Sequence, residues 1–377
     1  MDFAFNDEQE LLRSQAHDYL DRVCPTRRVR ELMETEAGWN AAMYGEMAEL
    51  GWTAIPFAEE DAGLGLGMVD MTVVLEELGR HVTPSPFHST VCFAGMTVRA
   101  SGDSPLRREL LAGIAGGSRR ATVALLEASG RWDASGVQLR AERKGDAYLL
   151  SGEKLYVPDA QAADWMIVAA RTEDGTHDGV TLLVVDRSAP GVEVTPVPAM
   201  DQTQRLHRVG FDHVEVDAAA VLGSPGHGFS VLRRGLDAAL VAISAELCGV
   251  AERAMEMSVD YAKTRRQFGR PIGTYQAVSH KCADMLIQVE SAKSLTYHAA
   301  WAHDAGVPEA PLAASMAKAY ASDAARNVTA LAIQVHGGIG FTWEHDAHLY
   351  FKRAKWGELT YGDARLHRER VAQLLEL

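Results

Sequence analysis

The chain has 377 residues, too many for one simple core, so two or three domains are expected. Hydrophobic residues make up 47%, ordinary for a globular protein, and no apolar run of about 18 residues marks a membrane span. A net charge of −14, from 37 basic and 51 acidic residues, argues against nucleic acid, because phosphate contacts need a basic face.

The N-terminus, MDFAFNDEQELLRSQ, is acidic and amphipathic. It lacks the basic segment and apolar run of a signal peptide, so a cytoplasmic location is the default expectation. Asn6 or Asp7 is placed to cap a first helix, with Leu11, Leu12 and Leu20 on its apolar face. MYGEMAELGW and MVDMTVVLEELGR repeat the helical period, and Gly51 and Gly79 suit helix ends. Between them, GLGLG (63–67) follows no clear strand and reads as a turn, not a dinucleotide loop. Residues 1–118 therefore read as an N-terminal helical domain.

From residue 119 the pattern changes. ATVALL, GVQLRAE, AYLLSGEKLYV, WMIVAAR, VTLLVVD, VEVTPVP and RVGFDHVEV are short β-rich runs separated by turn residues. Residues 119–224 read as a β-domain, a barrel or sandwich because no helices intervene. Residues 225–377 are helical again, with long patterns at 228–266, 275–305 and 308–335 and a last helix after Asp363. Apolar helices of this length pack as an antiparallel bundle. The fold class expected is mostly α with a central β-domain, ending in a four-helix bundle. Cys24, Cys92, Cys248 and Cys282 are scattered, without paired spacing, and read as buried or idle thiols.

Several segments together resemble the acyl-CoA dehydrogenase family over essentially the whole length. ELGWTAIPFAEEDAGLGLG followed by VLEELGR is similar to its N-terminal domain. TRRQFGRPIGTYQAVSHKCADM (264–285) and QVHGGIGF (334–341) are similar to its flavin-binding motifs, in the family's order and separation. The resemblance implies FAD as cofactor. It implies that Arg265, Phe268 and Gln276 touch the FAD of a neighbouring subunit, and that Gln334, Gly337 and Gly338 let backbone approach a nucleotide. The residue chemistry agrees: an arginine for pyrophosphate, an apolar flank and a glycine turn. Taken singly, each has a blander reading as a solvated arginine, a core phenylalanine or a helix-breaking glycine pair.

The β-domain departs from the family. Its T-E-P-G-A-G-S-D segment over the flavin and thioester reads LEASGRWD (126–133) here, which keeps Glu127 and Asp133 but adds Arg131 and Trp132. The W-I-T-like segment beside the flavin ring reads Tyr156-Val157-Pro158, and Pro158 has no N–H to donate.

The implied reaction removes hydrogen from the α and β carbons of an acyl-CoA thioester. A carboxylate takes the α-proton and flavin accepts hydride. The family has two places for that carboxylate. Counted without gaps from Gln334, the first falls on Tyr361, with Gly362 matching the glycine after it. Counted back from Phe268 through Gly249, the second falls on Ala239. Alanine has no proton acceptor, and a phenol with pKa about 10 is protonated at neutral pH.

One local substitute is Glu246, on the same helical face as Ala239 but two turns, roughly 10 Å, away. A buried glutamate paired with an arginine such as Arg253 is the simpler reading, because 10 Å is a large displacement for a reacting atom. Asp237 points to another side of that helix. The other substitute is a partner chain. The departures, with LYVPD, DQTQRLHRV and GFTWEHDAHLYFKRAK, resemble the base-lacking subunits of heterotetrameric acyl-CoA dehydrogenases, including those of sterol side-chain degradation. That resemblance implies a second dehydrogenase-like subunit, an acyl-CoA substrate and an electron-transfer flavoprotein as acceptor.

Two other readings stay open. One is a self-sufficient homodimeric or tetrameric dehydrogenase or oxidase using Glu246. The other is a binding or scaffold protein that kept the fold. His345 and His348 in WEHDAH lack zinc-site spacing and read as a solvated helix start. The face Ala238-Ala239-Ala242-Ala245 suits either an acyl cavity or close helix packing.

Overall fold

The computed structural model describes residues 5–172 and 179–377. It is mostly helical, with a β-rich segment between two helical ones in chain order. Helices α1 (Asp7–Val23), α2 (Thr26–Met33), α3 (Ala41–Glu49), α4 (Met68–Arg80), α5 (Met96–Arg99) and α6 (Pro105–Ala115) come first. Strands β1 (Ala121–Ala124), β2 (Arg140–Lys144), β3 (Ala147–Pro158), β4 (Trp165–Arg171), β5 (Val180–Asp186), β6 (Val192–Val197), β7 (Leu206–Asp217) and β8 (Val221–Leu222) follow. Helix α7 (Gly228–Thr264) leads into a small hairpin, β9 (Arg266–Gln267) with β10 (Arg270–Pro271). Helices α8 (Gln276–Asp304), α9 (Ala310–His336), α10 (Ala347–Leu359) and α11 (Ala364–Leu374) close the chain. No helix among the described residues is long and apolar enough to cross a membrane.

Local sequence explains the ends of these elements. Asn6 caps α1 in a reciprocal box: its side chain accepts from Gln9 N–H at 2.8 Å, and Gln9 Oε1 accepts from Asn6 N–H at 3.1 Å. Leu11, expected on the buried face of α1, is 59% exposed; Ala16, Tyr19 and Leu20 form that face instead. Gly51 follows α3 with φ of 81°, a conformation that favours glycine. Gly79 lies inside α4 rather than ending it.

The chain packs as two compact units. The first comprises the residues up to Glu31, Met68–Thr83 and Leu240–Leu377. Here α4 lies against α1 and α8, α8 runs along α9, and both α10 and α11 pack on α9. Gly79 allows a close crossing of α4 with α7, because a Cβ there would collide with the Glu246 carbonyl oxygen. Gly249 does the same from the other side, facing the Glu76 carbonyl. The second unit comprises Leu32–Gly67 and Pro84–Ala239. Its sheet has the order β6-β7-β3-β2-β4-β5-β8, with β1 pairing in parallel to β4. Leu150, Val157, Met166, Leu183 and Val209 lie in its core. This division differs from one at residues 118 and 224, because the chain's first residues and α4 pack with the C-terminal helices.

Candidate functional site

The flavin-type motifs occupy one end of the first unit. Helix α7 ends at Thr264, so Arg265 begins the connection and Phe268 sits at the tip of the β9–β10 hairpin. Phe268 is 92% exposed with φ of 50°, an uncommon backbone state for a bulky side chain. The Arg265 side chain makes no hydrogen bond or ion pair among the described residues. Gln276 is the first residue of α8 and is exposed. Gln334 lies on the last turn of α9, exposed, and Gly337 follows with φ of 64°. A Cβ on Gly337 or Gly338 would meet nothing within 4 Å, so internal packing does not require these glycines.

The two motifs converge. The Tyr261 ring, four residues before Arg265, lies 4.7 Å from the His336 ring, two residues after Gln334. Phe268 meets Tyr275 edge-on at 6.4 Å yet stays 92% exposed, and it lies with an arginine that makes no pair among the described residues and an open glycine turn. They fit a flat aromatic and phosphate-bearing group such as FAD, which would rest on Phe268 and the glycine turn and pair with Arg265.

The segment around Tyr361 is built differently. It turns between α10 and α11, and Tyr361 is 2% exposed with φ of 63°. Lys318, fully buried on α9, donates to the Gly362 carbonyl at 2.8 Å, the Glu358 carbonyl at 3.1 Å and Ser322 Oγ at 2.8 Å. Burial pushes its pKa down to about 7, against the opposing pull of Glu358 and Asp363. His367 Nε2–H donates to the Tyr361 carbonyl at 3.1 Å. Burial and then the Lys318 charge press the His367 pKa down to about 3. The flanking carboxylates are occupied. Glu358 accepts from Arg326 at 3.0 Å and pairs with Lys355, while Asp363 caps α11 through Leu366 N–H at 2.9 Å. From Lys318 to Gln334 is sixteen residues of α9, about 24 Å of rise. The base-position turn and the flavin-type motifs thus occupy well-separated stretches of α9.

Glu246 is 4% exposed and its Oε1 lies 2.6 Å from Arg353 Nη1. Arg353, 1% exposed, also donates to the Val82 carbonyl at 3.0 Å and the Thr83 carbonyl at 3.3 Å. The glutamate is a buried ion-pair member, as the simpler reading held. Its partner is Arg353 on α10, and the expected Arg253 bonds Glu256 instead at 3.3 Å. Ala238, Ala239, Ala242 and Ala245 are fully buried, as close helix packing requires. Asp346 pairs with Arg30 at 2.7 Å, and the His345 ring packs on His336 at 4.3 Å, so WEHDAH serves helix packing.

In the β-domain, Glu127 accepts from Gln138 N–H at 2.9 Å, Leu139 N–H at 3.0 Å and Lys154 Nζ at 2.7 Å. Lys154 is completely buried, and burial pushes its pKa down to about 8 against the Glu127 charge. Asp133 caps the turn Ala134–Gly136 through Ser135 N–H at 2.9 Å. Tyr156 is half exposed with φ of 53°, at an irregularity in the β3–β7 pairing. The Pro158 carbonyl accepts from Thr122 Oγ1 at 2.6 Å.

Sequence reasoning overlooked Lys318, Lys154, Arg353 and His367. For Lys318 a signal existed, since a lysine in AASMAKAYASDAA interrupts an alanine-rich helical face.

Family models for acyl-CoA dehydrogenase match three parts of the chain: the N-terminal domain over residues 6–118, the middle domain over 122–214 and the C-terminal domain over 226–375. A probable acyl-CoA dehydrogenase of Bacillus subtilis, YngJ, is 30% identical over 382 residues, covering 100% of both chains. The chain belongs to the acyl-CoA dehydrogenase family. Its fold superimposes on butyryl-CoA dehydrogenase from Megasphaera elsdenii with a TM-score of 0.93 at 28% identity, covering 100% of each chain. It also matches a chain of the ChsE4–ChsE5 complex from Mycobacterium tuberculosis, with a TM-score of 0.90 and 28% identity over 100% of this chain and 99% of that one. Members of the family are FAD-dependent oxidoreductases acting on CH–CH bonds, and this chain is one of them.

Proposed function

We propose that this chain is the base-lacking subunit of a heteromeric acyl-CoA dehydrogenase that introduces an α,β double bond into an acyl-CoA thioester. The observation that carries this reading is the state of the carboxylate positions. Tyr361 and Ala239 are buried residues without a basic carboxylate, and Glu246 is held by Arg353. The flavin-type surface is nonetheless retained, with Phe268 exposed and Arg265 unengaged.

FAD supplies hydride acceptance when bound. This chain's part is to hold it from outside. Arg265 would pair with the pyrophosphate, Phe268 would flank the cofactor, and Gln276, Gln334, Gly337 and Gly338 would help to hold it. The α-proton passes to a glutamate of the partner subunit. Lys318 and His367 fix the Tyr361–Gly362 turn in place without moving a proton. The complex works in the cytoplasm and passes electrons to an electron-transfer flavoprotein. Support for a heteromer comes from the similarity to a ChsE4–ChsE5 chain, a complex of two differently named components.

The test is expression alone and with any neighbouring dehydrogenase-like chain, recording flavin per protomer and anaerobic bleaching by acyl-CoA. The reading expects bleaching only in the complex, with half a flavin per chain. A lone chain that holds one flavin and bleaches would sink it.

A further inference from the structure

Away from the flavin-type end, α1 and α4 bring two histidines and two carboxylates together. His17 and Asp21 lie four residues apart on α1. Glu77 and His81 lie four apart on α4 and just beyond its end. Such pairs share one helix face, so the crossing of α1 and α4 sets both pairs against each other. Ligand atoms of His17, Glu77 and His81 lie within 4.8 Å of one another.

The hydrogen positions are constrained. His81 Nδ1 lies 2.8 Å from the Glu77 backbone carbonyl, which only accepts, so Nδ1 carries the proton. His81 Nε2 then faces Asp21 Oδ1 at 2.9 Å. His17 Nδ1 faces Glu77 Oε2 at 2.9 Å, and its Nε2 faces Asp21 Oδ2 at 3.4 Å. All four ring nitrogens therefore point at oxygen acceptors. Two neutral imidazoles have two N–H groups between them, so two nitrogen lone pairs face carboxylate oxygens. Two extra protons satisfy this arrangement, and so does one divalent cation of the same charge.

We propose that His17, Glu77 and His81 form a site for a divalent transition-metal ion, with Asp21 beside it as a supporting hydrogen-bond partner and Zn2+ the best match. Two imidazole nitrogens and one carboxylate oxygen, with a water as the fourth ligand, suit zinc and its neighbours, whereas calcium and magnesium take oxygen-only sets. Tetrahedral zinc with bonds of about 2.0–2.2 Å places its ligands about 3.3–3.6 Å apart, so atoms within 4.8 Å need to draw in by about 1.5 Å at most. A route in exists, because His17 and Glu77 line a cavity of about 340 Å3 together with Arg13, Arg80 and Glu252. Asp21, 64% exposed at its side chain, meets both imidazoles from the outer side and orients them. The site lies on α1 and α4, and no residue of the flavin-type end takes part, so the ion's role is to clamp α1 onto α4.

The test titrates Zn2+ into tag-free full-length chain stripped with a chelator, followed by calorimetry and metal analysis after dialysis. One Zn2+ per chain is expected, with Ca2+ giving no heat. His81→Gln should weaken Zn2+ binding by a hundredfold or more. Asp21→Asn, at an exposed position that leaves the fold intact, should weaken it by tenfold or more. His213→Asn, an exposed histidine in the β-domain, should change nothing. Bound Zn2+ should also raise the melting temperature of the wild type and not of His81→Gln. No stoichiometric binding, or binding that survives both site substitutions, would show a hydrogen-bonded charge network only and overturn the proposal. If His81→Gln does not fold, the Asp21→Asn result decides by itself.

Discussion

Separating Glu246 from Arg353 tests whether this carboxylate is structure or catalyst. The pair is almost completely buried, at 4% and 1% exposure, and its closest approach is 2.6 Å. Glu246→Gln keeps the shape but takes this carboxylate away from the guanidinium, which also donates to the neutral Val82 and Thr83 carbonyls. Breaking a buried pair from one side costs about 3–5 kcal/mol. Unfolding entropy of about 2.1 cal/mol/K per residue gives about 0.8 kcal/mol/K for a chain of this length. The melting temperature should therefore drop by about 4–6 °C for a single cooperative transition. Replacing both residues by apolar ones of similar volume, Glu246→Leu with Arg353→Met, should recover much of this, because the desolvation cost of both charges also disappears. The two unsatisfied carbonyls keep the double variant somewhat below wild type. The assays are calorimetric melting and anaerobic flavin bleaching in the assembled enzyme. Glu246→Gln should melt early and, once folded, still bleach. A variant that melts like wild type but cannot bleach would refute the ion-pair argument and make Glu246 the base.

Other expectations follow from the same geometry. His367 has a folded pKa of about 3, below the ordinary value near 6.5, so the unfolded chain takes up its proton first. Its contribution is complete above pH 6.5 and is lost as pH falls toward 3, with a slope approaching about 1.4 kcal/mol per unit; urea unfolding at pH 5 and 7 should show His367→Gln to be flatter, and an unchanged slope refutes the assignment. Glu127→Ala strands the buried Lys154 ammonium and two backbone N–H groups, and should cost about 3 kcal/mol or more, seen as earlier urea unfolding. Adding Lys154→Met should recover part of that loss. Arg265→Ala should weaken FAD retention in the complex by about 10–150-fold, the worth of one charge-assisted hydrogen bond, measured by flavin titration. Tyr361→Glu in the lone chain should still fail to bleach, because Pro158 offers the flavin ring no N–H; bleaching would mean that the missing carboxylate was the chain's only defect.

The strands were legible because short β-rich apolar runs such as WMIVAAR and VTLLVVD are bounded by turn residues, and both are buried strands over those limits. The long helices were legible for the analogous reason, apolar residues recurring every three or four positions. Gly79 shows where such reading stops. A glycine near the end of a periodic run suggests a cap, but here it answers a carbonyl oxygen on another helix, and only the packed structure reveals that neighbour. The same limit governs the site. Arg265, Phe268 and the glycine turn could be named in advance because their spacing is local. The arginine holding Glu246 could not, because Arg353 lies 107 residues away in sequence and Arg253 was the nearer candidate. Lys318 acts through carbonyls 40 and 44 residues away, so nothing in its own neighbourhood tells of the turn it supports. That the two counted positions hold Tyr361 and Ala239 can be read from the sequence, since that is a fact about single positions. Whether a substitute exists is a fact about contacts, and within this chain the nearby carboxylates, Glu246, Glu358 and Asp363, are already engaged. On the proposed reading the base comes from a second chain, and the exposed Phe268 with Arg265 is the surface that reading offers to that chain's cofactor.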